Sequence, residues 1–195
     1  ITVKKHVEDL SIDIWHQCTE ASQNIAKTWI DAISDNKDFF VADSTGKNLS
    51  SSKFLAGVLM MRSWLKKTIK KDKNIGVILP SSVGGAMGNM ALFCLGKVVC
   101  NLNYTTGVNP LKSAIKNAGI KTIVSSRMFV KKLQSKGFDM DVVLSDNNVI
   151  YLEDMQKFAH KVRTLSYFLR AVLYPTWLLK QLFTSTEEID DTAVI

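Results

Sequence analysis

Residues Ile75–Ser126 read IGVILPSSVGGAMGNMALFCLGKVVCNLNYTTGVNPLKSAIKNAGIKTIVSS, and this stretch decides the fold class. Ile75–Leu79 is a short continuous apolar run. Lys73 and Asn74 precede it, and Pro80, Ser81 and Ser82 follow. Such a run suits a strand covered on both faces, as in a parallel sheet. Ser81 or Ser82 is placed to cap a helix over about Val83–Leu95, and Gly96 to stop it. Val98–Leu102 is a second apolar strand, and Tyr104–Asn109 is a polar loop. Pro110 fits the first turn of a helix that reaches Ala118 and ends at Gly119. Ile120–Ser125 is a third strand. A βαβαβ run at this spacing predicts an α/β fold, a doubly wound and mostly parallel sheet flanked by helices.

Working outward, 195 residues suffice for one sizeable domain, so the chain reads as a single α/β unit over 1–195. An apolar content of 46% with three prolines argues for a packed protein and against disorder. The net charge of +7 permits attraction to anionic lipid or nucleic acid without establishing either. Nucleic acid is not an expected partner, because the cations are dispersed and no recognition module appears. Cys18, Cys94 and Cys100 are an odd, scattered set, and the latter two sit in apolar surroundings. They read as buried small hydrophobes of a reducing, cytoplasmic compartment. His6, His16 and His160 lie far apart, so no metal site is expected. The start, ITVKKHVEDL, has no apolar core of a signal peptide and no initiator methionine, so the chain is expected to begin inside a longer one. No stretch holds the roughly 18 uninterrupted apolar residues of a spanning helix.

Residues 1–10 read as a linker or a frayed start. Ile12–Ile33 has roughly helical apolar spacing through Trp15, Cys18, Ile25, Trp29 and Ile30. Phe39–Ala42 is a strand candidate, Asp43–Gly46 a turn, and Lys47–Leu49 a short extended piece. A serine among Ser50, Ser51 and Ser52 then caps a helix over Lys53–Ile69, with Phe54, Val58, Met61, Leu65 and Ile69 on one stripe. Its basic end (Arg62, Lys66, Lys67, Lys70, Lys71 and Lys73) reads as a solvated face that complements the helix dipole. Met128–Lys136 is a further helix ended by Gly137. Val142–Leu144 and Val149–Leu152 are strand candidates around a turn at Ser145–Asn148. Thr184–Asp191 is an acidic connector, and Thr192–Ile195 begins another strand.

Gly84, Gly85 and Gly88 follow a strand and invite a nucleotide-loop reading. Their spacing is not the dinucleotide fingerprint, and no lysine–serine pair follows, so close packing of the helix on the sheet is the better role. Ser81 and Ser82 stand where nucleophilic serines often do. Without Gly-x-Ser-x-Gly or a nearby histidine they read as capping residues. Asn101, Asn103, Tyr104, Thr105 and Thr106 lie where α/β proteins bind ligands, and read first as a turn-forming loop, second as a contact surface.

The segment Lys157–Phe183, KFAHKVRTLSYFLRAVLYPTWLLKQLF, is an amphipathic helical insertion. Phe158, Val162, Leu165, Leu169 and Val172 form one stripe. His160, Arg163, Tyr167 and Arg170 lie largely opposite, and Pro175 interrupts the helix. Such a helix either lies in a membrane interface or docks on the rest of a larger protein. On the first reading Arg163, Arg170, Trp177 and Phe183 are the membrane-contact candidates, and an anionic membrane surface is a partner.

Three stretches resemble the adenylate-forming acyl synthetases. They are FFVADSTGKNLS with its following helix (Phe39–Leu65), IGVILPSSVGGAMGNMALFCLGKVVCNLNYT (Ile75–Thr105) and LKSAIKNAGIKTIVSSRMFVKKL (Leu111–Leu133). They cover roughly half the chain, and DDTAVI at its end adds a short match. The chain looks closest to the synthetase part of bacterial bifunctional acyl-carrier-protein synthetase/lysophospholipid acyltransferases. The resemblance implies ATP- and magnesium-dependent activation of a fatty acid as an acyl-adenylate. Transfer to acyl carrier protein or coenzyme A follows, within phospholipid acyl metabolism. It also implies a cytoplasmic location, at the inner face of the bacterial inner membrane. The family's phosphate loop ending in Pro-Lys-Gly is not in this sequence, nor are its downstream motifs. The chain is therefore expected to be a scaffold fragment of the large N-terminal domain, inactive alone, with no catalytic residue, no metal site and no cofactor of its own. Its chief partner is then the remainder of the parent chain. A non-catalytic α/β binding or interaction module is the alternative.

Overall fold

The computed structural model describes residue 5, residues 24–36, 38–44, 46–69 and 71–185. The expectations for residues 1–4 and 6–10, for the first half of the Ile12–Ile33 helix, for Cys18, His6 and His16, and for Thr192–Ile195 lie outside the described residues. So do Lys70 and most of the acidic connector.

The first described helix, α1 (Ile25–Asp35), is capped by Asn24, whose side chain accepts the Lys27 N–H at 3.1 Å. β1 (Phe40–Ala42) and β2 (Asn48–Ser50) form an antiparallel hairpin, with Val41 opposite Leu49. Its turn closes through the Asp43 N–H donating to Lys47 O at 3.1 Å. Helix α2 (Ser51–Thr68) follows at once. Ser50 holds the cap position, but its hydroxyl makes no cap hydrogen bond.

The second sheet has the order β4-β3-β5-β6, with every pair parallel: β3 (Asn74–Ile78), β4 (Val98–Asn101), β5 (Thr122–Ser125) and β6 (Asn148–Tyr151). Between them run α3 (Val83–Cys94), α4 (Val108–Asn117), α5 (Arg127–Gln134) and a short α6 (Met140–Leu144). Because β4 and β5 flank β3 on opposite sides, the chain reverses its direction across the sheet there, which is a doubly wound arrangement. Successive strand residues divide between two cores. Ile75, Val77, Val99, Val124 and Ile150 pack with α1, α2 and α3. Ile78, Val98, Cys100 and Ile123 pack with α4, α5 and α6. Gly96, at φ 67°, takes the left-handed conformation that ends α3, and the Lys97 N–H closes back on Leu92 O at 3.0 Å.

One strand expectation is corrected. Val142–Leu144 is not extended but forms the end of α6. The β-branched pair suggested a strand. The Asp139 side chain instead accepts the Val142 N–H at 3.1 Å and caps a helical turn that buries Met140, Val143 and Leu144. Local capping and burial at helical spacing outweighed strand propensity.

α2 also differs from the single stripe expected of it. Phe54, Val58, Met61, Leu65 and Ile69 are buried, and so are Leu55, Leu59, Met60 and Trp64. The second buried face is covered by the arm that ends the described chain. After a 3-10 turn (Leu152–Lys157), the arm comprises α7 (Lys161–Leu173) and α8 (Thr176–Phe183), parted by Pro175. Arg62 is accordingly not on a solvated face. It is half-buried with its guanidinium 5.8 Å from the centre of the Phe183 ring, and burial lowers its pKa. Lys66, Lys67, Lys71 and Lys73 are exposed, as expected.

Candidate functional site

In open α/β sheets, ligands bind beyond the carboxyl ends of the strands. Here that edge carries a cleft of about 480 Å³ past β3 and β4, whose polar lining includes Asp43, Ser81, Ser82, Asn89 and Asn101. Asp43 comes from the β1–β2 turn, Ser81 and Ser82 from the β3–α3 connection, Asn89 from α3, and Asn101 from the end of β4.

The first turn of α3 is closed by these residues. Asp43 Oδ2 accepts the Val83 N–H at 2.9 Å, and Ser82 Oγ accepts the Gly85 N–H at 3.1 Å. Ser82 is thus the capping serine, while Ser81 is exposed beside it. A free helix N-terminus attracts anions. This one already holds a carboxylate, which repels a phosphate. Close packing requires glycine at 85, where a Cβ would stand 2.6 Å from the Pro80 carbonyl oxygen; a Cβ on Gly88 would touch Leu79 Cδ1 at 3.4 Å, and one on Gly84 would meet only Ser82 Oγ at 3.8 Å. The Asn89 amide donates to Asn101 Oδ1 at 3.2 Å, and Asn89 Oδ1 is buried without a hydrogen-bond partner. The donor set therefore fits a small neutral or cationic polar group. It does not fit ATP phosphates, and none of these residues forms a nucleophile–base pair. Among the described residues, no cluster of three or more His, Cys, Asp or Glu side chains could hold a metal ion.

The same design recurs at β5 and β6. Glu153 Oε1 accepts the Ser126 hydroxyl at 2.8 Å and the Met128 N–H at 3.1 Å at the start of α5. Burial pushes the Glu153 carboxyl up, but N–H donors from the backbone of Arg127, Glu153 and Met128, with the Ser126 hydroxyl, hold it below the usual range. Arg127 grips Asp154 through two 2.9 Å bonds and lies 4.4 Å from the centre of the Tyr151 ring. The Asp154 bond raises the Arg127 pKa and lowers that of Asp154.

The polar loop after β4 is turn-forming. Asn103 Oδ1 accepts the Thr105 N–H at 3.1 Å and its hydroxyl at 2.7 Å, and Tyr104 packs edge-on against Phe129. Cys94 and Cys100 are buried free thiols, and burial raises the pKa of both, that of Cys94 to about 12. Sequence reasoning missed Asp43, Asn89 and Glu153. Asp43 stands 40 residues from the amide it caps, and no local signal announces such a partner.

The four arm residues singled out from sequence are separated by the fold. Trp177 is 63% exposed, whereas Phe183 is buried against Tyr167 and Arg62 and is withdrawn from the surface. The Arg163 and Arg170 guanidiniums lie 4.0 Å from the centre of Phe158 and 4.9 Å from that of Tyr167, and both arginines are half-buried.

No protein-family model matches the chain. Among solved structures, a Mycobacterium tuberculosis fatty acyl CoA synthetase aligns at a TM-score of 0.53 and 14% identity, over 72% of this chain and 28% of that one. The Klebsiella oxytoca NpsA N-terminal subdomain aligns at 0.55 and 13%, over 87% and 37%. O-succinylbenzoate Coenzyme A Synthetase (MenE) from Bacillus subtilis aligns at 0.54 and 11%, over 71% and 27%. At these identities the likeness is one of fold. The chain shares its doubly wound α/β fold with part of each of these structures and spans less than half the length of each.

Proposed function

We propose that this chain is a scaffold portion of an AMP-forming fatty-acid ligase in phospholipid acyl metabolism, with acyl carrier protein or coenzyme A as acceptor. The carrying observation is the β4-β3-β5-β6 parallel sheet with helices on both faces, which aligns with part of a fatty acyl CoA synthetase. On this reading the parent acts in the cytoplasm with ATP and magnesium, which residues outside this chain hold. The carboxylate-capped starts of α3 and α5 support that division, because both leave the carboxyl edge unsuited to a triphosphate. The same closure is what favours the second reading, a non-catalytic α/β module.

Thermal unfolding with and without magnesium–ATP separates the two. The 195-residue chain should melt at one temperature in both conditions. A chain extended through its natural downstream sequence should be stabilised by the nucleotide, by mass action. An extended, folded chain that magnesium–ATP leaves unshifted would favour the module.

A further inference from the structure

α7 docks through the row that carries Arg163, Tyr167 and Arg170. Tyr167 is buried, and Arg163, Arg170 and Tyr174 are half-buried, so this row at spacings of four, three and four faces the molecule. The stripe Val162, Leu165, Leu169 and Val172 faces outward, with Val162 75% and Leu165 58% exposed. Leu173 and Trp177 continue the exposed apolar surface across Pro175 into α8. On the side toward α2, Leu165 joins Phe168, Met60 and Leu49 in an apolar groove of about 640 Å³, with Lys53 and Lys161 also in its lining. A contiguous exposed apolar face of this kind marks an interaction site.

Charge identifies the occupant. Lys157–Phe183 contains five basic residues and no acidic one. Lys157 and Lys161 are exposed, while Arg163 and Arg170 brace the inner face and Lys180 pairs with Asp31 at 2.9 Å. An apolar row that starts at exposed Lys161, with Lys53 across the groove and an exposed Trp beyond its far end, matches the layered chemistry of an anionic bilayer surface. No helix among the described residues is long and apolar enough to cross a membrane, so the contact is one of lying on the surface. We propose that the outer face of α7–α8 docks on anionic phospholipid, with Val162, Leu165, Leu169 and Trp177 entering the headgroup boundary and Lys157 and Lys161 holding lipid phosphates. This inference does not use the ligase reading, on which the remainder of the parent chain competes for the same face; flotation lost when the chain is extended through its natural downstream sequence would assign the face to that remainder.

Vesicle flotation tests it, using the full chain with phosphatidylcholine vesicles and with vesicles part-substituted by phosphatidylglycerol. The chain should float with the phosphatidylglycerol vesicles and remain behind with phosphatidylcholine alone. The double substitution Leu165→Ser, Leu169→Ser should weaken partitioning roughly tenfold while the chain still melts cooperatively, because neither side chain is in the buried core. Lys157→Glu with Lys161→Glu should weaken it on the anionic vesicles by more than about tenfold. No flotation, flotation indifferent to lipid charge or to these substitutions, or a concentration-dependent mass increase that the serine substitutions abolish would each overturn the proposal. The last outcome would assign the face to a second copy of the chain.

Discussion

α3 and α7 are helices of nearly equal length that the fold uses in opposite ways. α3 lies inside the molecule: Ala91, Leu92 and Cys94 are fully buried, and even its glycines meet neighbours. α7 is attached by one aromatic and basic row, and its aliphatic row points away. The inward arginines stay favourable because a guanidinium is weakly hydrated and sits well on a ring, as at Phe158 and Tyr167. Helical periodicity thus tells that two faces exist. Which one meets the protein depends on what the neighbour offers, and α2 offers Met60 and Trp64 as well as Arg62. The sheet region joins near-continuous burial to carboxylate-capped helix starts, whereas the arm docks through buried Tyr167, Leu179 and Phe183 and leaves its aliphatic face outward.

Substitutions sharpen this contrast. Leu92→Ala should cost about 3–4 kcal/mol in urea denaturation, as a fully buried leucine that leaves a cavity. Gly85→Ala should cost about 1–3 kcal/mol, since its new Cβ meets a backbone carbonyl that cannot rotate away. Glu153→Gln should cost about 1 kcal/mol at neutral pH through loss of a charged cap. It should also flatten the acid limb of the stability curve. The folded Glu153 pKa is depressed, so its contribution is complete above the ordinary carboxylate range and is lost as pH falls through the folded value. Leu169→Ala should change stability by no more than about 0.5 kcal/mol, because the side chain is exposed. A Leu169→Ala cost as large as that of Leu92→Ala would break the contrast, by placing the outer stripe in a core.

Most of the central sheet was legible in the residues. Apolar runs at Ile75 and Val98, the serine before Val83 and the glycines at 96 and 119 act within a few positions of where they stand, and each held its place. What sequence did not disclose depends on distant partners. Asp43 and Glu153 reach amides 40 and 25 residues away. Arg62 and Phe183 become partners only when the arm folds over α2. Val142–Leu144 carried a strand's composition, yet a single aspartate cap made it helical. The arm's amphipathicity was legible as a pattern, and its orientation was not, because it depends on Tyr167 and Phe183 entering the core beside α2, with Arg62 over the Phe183 ring and Lys67 over that of Phe158.

On the proposed function, this chain supplies the fold of an acyl-activating ligase while the chemistry resides in further sequence. Fatty-acid-dependent ATP–pyrophosphate exchange, measured on the 195-residue chain and on one extended through the natural downstream sequence, tests it most directly. Exchange in the extended chain alone is the predicted result. Exchange by the 195-residue chain itself, or none by a folded extended chain, would contradict the claim.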